Sequence, residues 1–199
     1  MTMANLITLG RLPVLFLLVG LLFVPSWRVQ CLTLGLLVVL FLMDWWDGLV
    51  ARRRGEVSHL GAVLDVALDR AVENILWVAF LALGLAPLWV PVVFLTRSFV
   101  VDGMRSAALA QGKSVFGMMH MPLGTFLVAS RFMRVFYGVA KCSAFGLLLL
   151  THALTLKDPA WRVVLSPITQ GLIYVSVALC IIRGVPVILD GRRYFAGGG

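Results

Sequence analysis

Apolar runs of about 20 residues, the length a helix needs to cross a bilayer, recur along almost the whole chain and are parted by short polar or proline-bearing breaks. The pattern predicts six helical spans, at about 6–25, 31–51, 60–84, 87–109, 134–154 and 161–182. Pro25, Ser26 and Trp27 part the first two, and Ala86 and Pro87 part the third and fourth. The stretch 110–133 is apolar yet interrupted by Gly117, Pro122 and Gly124, and is expected to lie in the interface or to be partly re-entrant. No linker or low-complexity segment divides the chain, so the expectation is a single membrane-embedded all-α domain over 1–199. One segment breaks the pattern. In "LMDWWDGLVARRRGEVSHLGAVLDVALDR", residues 42–70, Asp44, Asp47, Asp65 and Asp69 stand inside or beside apolar helices, although the whole chain has only nine acidic residues.

Composition makes the membrane reading firm. The chain is 61% hydrophobic and 13% charged, with a mean hydropathy of +1.00, whereas soluble domains are about 45–50% apolar. A net charge of +8 would suit a nucleic-acid binder, but the cations sit between or at the ends of apolar runs, where the positive-inside rule places them. With the N-terminus inside, the inner connections hold Arg52, Arg53, Arg54, Arg105, Lys113, Arg131, Arg134, Arg183, Arg192 and Arg193. The outer ones hold Arg28, Lys157 and Arg162. Both chain ends and the aspartate segment are therefore expected on the cytoplasmic side of a bacterial-type inner or plasma membrane. The first apolar run lacks a basic leader and a cleavage site, and is expected to be a retained helix. Cys31, Cys142 and Cys180 lie far apart in apolar sequence and are expected to be buried small hydrophobes.

Helical spacing turns the aspartates into two stripes. Asp44, Asp47, Gly48, Ala51 and Arg52 share one helix face, and Gly61, Asp65, Asp69 and Glu73 share another. The basic turn 52–58 makes these helices antiparallel neighbours, so their stripes can meet. An ionised group inside a membrane costs at least about 2.5–3.5 kcal/mol, so cations must sit among the carboxylates. Arg52 and Arg70 are candidates, but an oxygen-only donor set at this density suits a hard divalent cation, Mg²⁺ or Mn²⁺. Such a metal most often serves a phosphate or diphosphate. Gly48 and Ala51 leave room for a ligand beside the backbone, and Arg52 supplies a planar fork that fits phosphate. The alternatives are aspartates paired with arginines in a packed helix pair, or a divalent-cation transporter. A conduction path would spread polar groups through the membrane depth, whereas these crowd one end.

The string Asp44-x2-Asp47-Gly48-x2-Ala51-Arg52-x8-Gly61-x3-Asp65-x3-Asp69 resembles the signature of the CDP-alcohol phosphotransferase (CDP-alcohol phosphatidyltransferase) family at every position. Asn5, Thr8 and Arg11 match its Asn-x2-Thr-x2-Arg pattern. The resemblance implies a dimeric bundle of about six transmembrane helices with a cytoplasm-facing polar active-site cavity. The implied enzyme joins an alcohol to the phosphatidyl group of CDP-diacylglycerol and releases CMP. It implies a dinuclear Mg²⁺ site on Asp44, Asp47 and Asp65, with Asp69 also near the metals and acting as general base. It further implies CDP or diphosphate contacts from Asn5, Thr8, Gly48, Ala51, Arg52, Ser58 and Gly61. An alcohol is a poor nucleophile at neutral pH, so a carboxylate in hydrogen-bond reach must accept its proton.

The later cations bear on the acceptor. Arg97 lies about ten residues into an apolar run and needs a polar partner. Arg97, Arg105, Lys113, Arg134 and Lys141 are the candidate acceptor-binding residues, and a cationic pocket suits an acceptor with its own phosphate. Arg97 to Arg105 resembles the Arg-Glu-x3-Ser-x-Leu-Arg segment of phosphatidylglycerophosphate synthase-like members, with Ser98 and Asp102 departing in kind. Glycerol 3-phosphate is the preferred acceptor, with inositol phosphate or another polar alcohol as the alternative. Glu73 is either a partner of Arg70 or an acceptor contact.

Overall fold

The computed structural model describes the backbone of residues 3–54, 59–110, 126–128 and 130–196, and within these the side chains of 9–46, 61, 63–104, 106, 126–128 and 130–189. The described residues form helices and the turns between them. Six long helices follow one another: α1 (Met3–Leu22), α2 (Trp27–Arg54), α3 (His59–Ala82), α4 (Trp89–Ala110), α5 (Arg131–Lys157) and α6 (Ala160–Ala196). Trp27–Trp46, Arg131–Lys157 and Ala160–Leu189 are long and apolar enough to cross a bilayer, and Leu9–Leu22 is a shorter apolar stretch. The runs of α3 and α4 are interrupted by their own charges: Asp65, Asp69, Arg70 and Glu73 in one, Arg97, Asp102 and Arg105 in the other. Large apolar side chains on the helix surfaces, such as Phe16, Leu32, Phe99 and Val163, are exposed, as a lipid-facing surface requires. This is a membrane protein of the all-helical kind.

The helix boundaries have local causes. At the end of α3, Leu85 N–H donates to Phe80 O and Gly84 N–H to Leu81 O, both at 2.9 Å, the paired bonds of a Schellman cap. Gly84 takes the left-handed conformation there, with φ at 67°. Ser130 Oγ caps α5 by accepting from Met133 N–H at 3.1 Å. Asp158 Oδ1 accepts from Ala160 N–H at 2.9 Å to start α6, with Pro159 in the first turn. The sequence pattern ends the last span near 182 because Arg183, Gly184 and Pro186 follow. The helix instead continues to Ala196, and Arg183 is not in a connection but buried within it at 7% exposure.

The chain divides into two compact units, one of Met1–Pro87 with Phe145–Thr169 and one of Leu88–Ala144 with Gln170–Gly199. In the first, α1 packs against both α2 and α3. Its core holds Leu15, Leu18 and Leu22 of α1, Leu37 and Leu40 of α2, and Trp77 and Phe80 of α3. The Phe145 ring lies 4.7 Å from Trp77 and 5.9 Å from Phe80. Thr151 and Thr169 hydrogen-bond to each other at 3.0 Å within it.

In the second unit Val101, Val128 and Val187 form a buried cluster. Arg183 donates from Nη1 to Met133 O at 2.7 Å and from Nη2 to Val128 O at 3.4 Å, and its guanidinium lies 5.2 Å from the Tyr137 ring centre. It donates to one carbonyl ahead of α5 and to one in its first turn. Cys180 is buried, but Cys31 and Cys142 are exposed on helix surfaces, contrary to the expectation for them. A small apolar thiol is as acceptable against lipid as inside a core.

The α1–α2 turn shows how much one polar side chain does in such a protein. The last carbonyls of a helix have no intrahelical donor, and in lipid no water replaces it. Gln30, fully buried, directs its Nε2 at Leu21 O and Leu22 O, both at 3.0 Å, and Val24 O at 2.7 Å. Gln30→Leu keeps the size and removes the donor. It should destabilise the protein by about 1–3 kcal/mol, read as an earlier thermal unfolding transition in detergent.

Candidate functional site

The site is built at one end of the first unit. Arg11, Leu15, Leu18 and Leu22 follow one another at helical spacing along the buried face of α1, and all are at 2% exposure or less. The same face that packs leucines into α2 and α3 therefore carries a guanidinium at its start. Asp44 comes from α2, and Asp65 and Asp69 come from successive turns of α3. Arg11 Nη1 lies 2.7 Å from Asp44 Oδ1 and 3.7 Å from Asp65 Oδ1. Arg11 Nη2 donates to Asp69 Oδ1 at 3.0 Å. Three helices thus meet through one charged fork.

The electrostatics are asymmetric. Arg11 is buried at 2%, while the side chains of Asp44, Asp65 and Asp69 are 41%, 48% and 49% exposed. The guanidinium lies beneath the carboxylates, which keep their other side open. One oxygen from each carboxylate lies within 4.8 Å of the others, close enough for all three to reach one small cation. The donor set is oxygen only and anionic, which fits Mg²⁺ or Mn²⁺ better than a softer metal. Arg70, a sequence-level candidate to neutralise the aspartates, places Nη1 3.0 Å from Glu73 Oε2 on its own helix, and Glu73 is 3% exposed. Glu73 is thus paired with Arg70.

Of the sequence-level candidates, Asp44, Asp65 and Asp69 are brought together, and Gly61 lies on the same helix as the latter two. Asn5 and Thr8 are on α1, Asp47, Gly48, Ala51 and Arg52 on α2 and Arg105 on α4, but their side chains lie outside the described residues, as do Ser58 and Lys113 altogether. Arg97, Arg134 and Lys141 belong to the second unit. Arg134 is exposed, and Lys141 Nζ lies 4.5 Å from the Tyr137 ring centre. Arg97 is 8% exposed, and its Nε and Nη1 have no hydrogen-bond partner among the described residues. A Cβ on Gly184 would stand 3.1 Å from Arg97 Cγ, so the bare glycine makes room for this side chain.

The residue whose part sequence reasoning missed is Arg11. It matched a motif position but received no role. The signal was present, because a charge repeating with the leucines of one apolar face must find a counter-charge on the helices it packs against.

A protein-family model described as CDP-alcohol phosphatidyltransferase matches residues 1–182. A Bacillus subtilis protein named CDP-diacylglycerol–glycerol-3-phosphate 3-phosphatidyltransferase is 23% identical over 149 residues, covering 75% of this chain and 67% of that protein. The archaetidylinositol phosphate synthase of Aeropyrum pernix is 28% identical over 154 residues, 76% of this chain and 74% of that protein. CDP-diacylglycerol–glycerol-3-phosphate 3-phosphatidyltransferase 2 of Arabidopsis thaliana is 26% identical over 191 residues, 90% of this chain and 75% of that protein. Mycobacterial relatives are matched over shorter stretches of 82 and 69 residues, 39% and 33% of their own lengths.

Proposed function

This chain belongs to the CDP-alcohol phosphatidyltransferase family, and we propose that it transfers the phosphatidyl group of CDP-diacylglycerol to glycerol 3-phosphate, releasing CMP and forming phosphatidylglycerophosphate. The observation that carries the reading is the convergence of Asp44, Asp65 and Asp69, with ligand oxygens within 4.8 Å of one another, inside the family's spaced motif. Asp44, Asp65 and Asp69, with Asp47 by its motif position, would hold Mg²⁺ or Mn²⁺. The metal supplies positive charge to the diphosphate as the bond to CMP breaks.

In the proposed reaction the acceptor hydroxyl oxygen forms a bond to the phosphatidyl phosphorus. The bond from that phosphorus to the CMP oxygen breaks, and CMP leaves with the electron pair. Asp69 takes the hydroxyl proton: its side chain is half-exposed, as a group that must reach a substrate requires, while Oδ1 is anchored by Arg11. Anchoring one oxygen leaves the other in a defined direction, which favours proton transfer from a positioned hydroxyl. Asn5, Thr8, Gly48, Ala51, Arg52, Ser58 and Gly61 would hold the CDP moiety, with the Arg52 fork matched to phosphate oxygens.

The acceptor assignment is supported by Arg97, whose buried guanidinium keeps two nitrogens without a hydrogen-bond partner among the described residues. A buried cation of this kind suits an anionic ligand, and Arg105, Lys113, Arg134 and Lys141 would complete the cationic set. The names of the Bacillus and Arabidopsis relatives point to glycerol 3-phosphate. The Aeropyrum relative supports a second reading, the same chemistry with inositol phosphate. One catalytic domain over 1–199, a homodimer and a cytoplasm-facing site complete the proposal, the last from the excess of cations flanking the aspartate segment.

The test is purified protein with CDP-diacylglycerol and Mg²⁺, supplied in turn with labelled glycerol 3-phosphate, inositol phosphate, inositol and serine. Lipid-soluble product with glycerol 3-phosphate is expected; CMP release with none of the four sinks the transfer reading. Asp69→Asn keeps an oxygen for Arg11 but cannot take a proton, so kcat should fall at least ~100-fold with nucleotide binding retained in a calorimetric titration. Gly184→Ala should displace Arg97 and raise KM for the phosphorylated acceptor about tenfold, with KM for CDP-diacylglycerol unchanged.

A further inference from the structure

We infer that Arg11 is a built-in counter-ion of the aspartate trio, one that holds the carboxylates together when no metal is bound and opposes the metal when it arrives. The inference rests on the proposed metal site but concerns a residue outside its ligand set. Three carboxylates with oxygens within 4.8 Å of one another repel strongly, and in this low-dielectric setting the folded metal-free protein needs a cation among them. Arg11 is that cation: a fork from a third helix, at 2% exposure, reaching Oδ1 of Asp44, Asp65 and Asp69 at 2.7, 3.7 and 3.0 Å. Arg70, the neighbouring cation on α3, pairs with Glu73 at 3.0 Å.

The charges set the sign of the effect. Ionised, as metal binding requires, the three carboxylates together with Arg11 carry two negative charges. Without Arg11 the same oxygens carry three, so a divalent ion is drawn more strongly, and the metal-free state is strained by unrelieved repulsion. Arg11 thereby trades metal affinity for a site that stays assembled when empty. It touches the oxygens that would bind metal, so it acts through them as a positioning residue.

The experiment compares the full chain with R11Q and R11K in detergent, by Mn²⁺ binding through loss of the free-ion spin-resonance signal and by thermal unfolding with Mn²⁺ or chelator. R11Q removes the charge; it should bind Mn²⁺ about tenfold more tightly than wild type, unfold at a lower temperature in chelator and gain more from Mn²⁺. R11K keeps the charge and should bind Mn²⁺ within about twofold of wild type. An R11Q protein that stays folded only with Mn²⁺, while wild type survives chelation, also supports the inference. R11Q binding Mn²⁺ no more tightly than wild type, or unfolding alike with and without Mn²⁺, overturns it and leaves the proposed function standing. Wild type that does not bind Mn²⁺ overturns both.

Discussion

The structure depends on one constraint: the charge of Arg11, buried among apolar helices, meets its opposite there. Arg11 begins the leucine face with which α1 packs against α2 and α3, and the two helices answer it with Asp44, Asp65 and Asp69. The register of three helices is thereby set by an ion cluster, while leucines and aromatics fill the remainder of the core. A shift of one residue on α1 would rotate Arg11 by about 100° and leave both signs of charge without partners. Apolar packing tolerates many registers at similar energy, whereas this cluster tolerates few.

The same logic runs through the smaller polar contacts. Gln30 directs its amide at three carbonyls at the end of α1, Arg183 supplies donors to the carbonyls of Val128 and Met133, and Gly84 lets α3 close its own last turn. Thr33, Thr155 and Thr169 return their hydroxyls to carbonyls four residues back, Val29, Thr151 and Leu165. Each device satisfies a backbone or hydroxyl group without water, as the bilayer demands. Among the described residues, Nε and Nη1 of Arg97, like Ser98 Oγ and Ser176 Oγ, are buried without such a hydrogen-bond partner.

Much of this was legible in the sequence. Apolar run length located all six helices to within a few residues at most ends, because the hydrophobic requirement is set by bilayer thickness. Helical spacing put Asp65 and Asp69 on one stripe and faced it with Asp44, since the short basic turn leaves antiparallel neighbours little choice. Three things were not legible. The continuation of α6 through Arg183, Gly184 and Pro186 depends on tertiary partners for Arg183, which local propensity does not contain. That Arg70 pairs with Glu73, one of two readings the spacing allowed, depends on side-chain reach. The part played by Arg11 depends on which helix packs behind the aspartates, a non-local fact that spacing within α2 and α3 cannot supply.

Burial and exposure are divided within the aspartate cluster. The carboxylates have an inner side, where Arg11 fixes Oδ1, and an outer side, where nearly half of each side chain is exposed. A site open on both sides would leave the aspartates free to splay, and one buried on both sides would bar a nucleotide. Fixing the inner oxygens costs part of the charge available to a metal, and it removes the reorganisation that three mobile carboxylates would undergo on binding. Inner anchoring and outer exposure are combined where Arg11 and Asp44 lie near the ends of the apolar stretches Leu9–Leu22 and Trp27–Trp46.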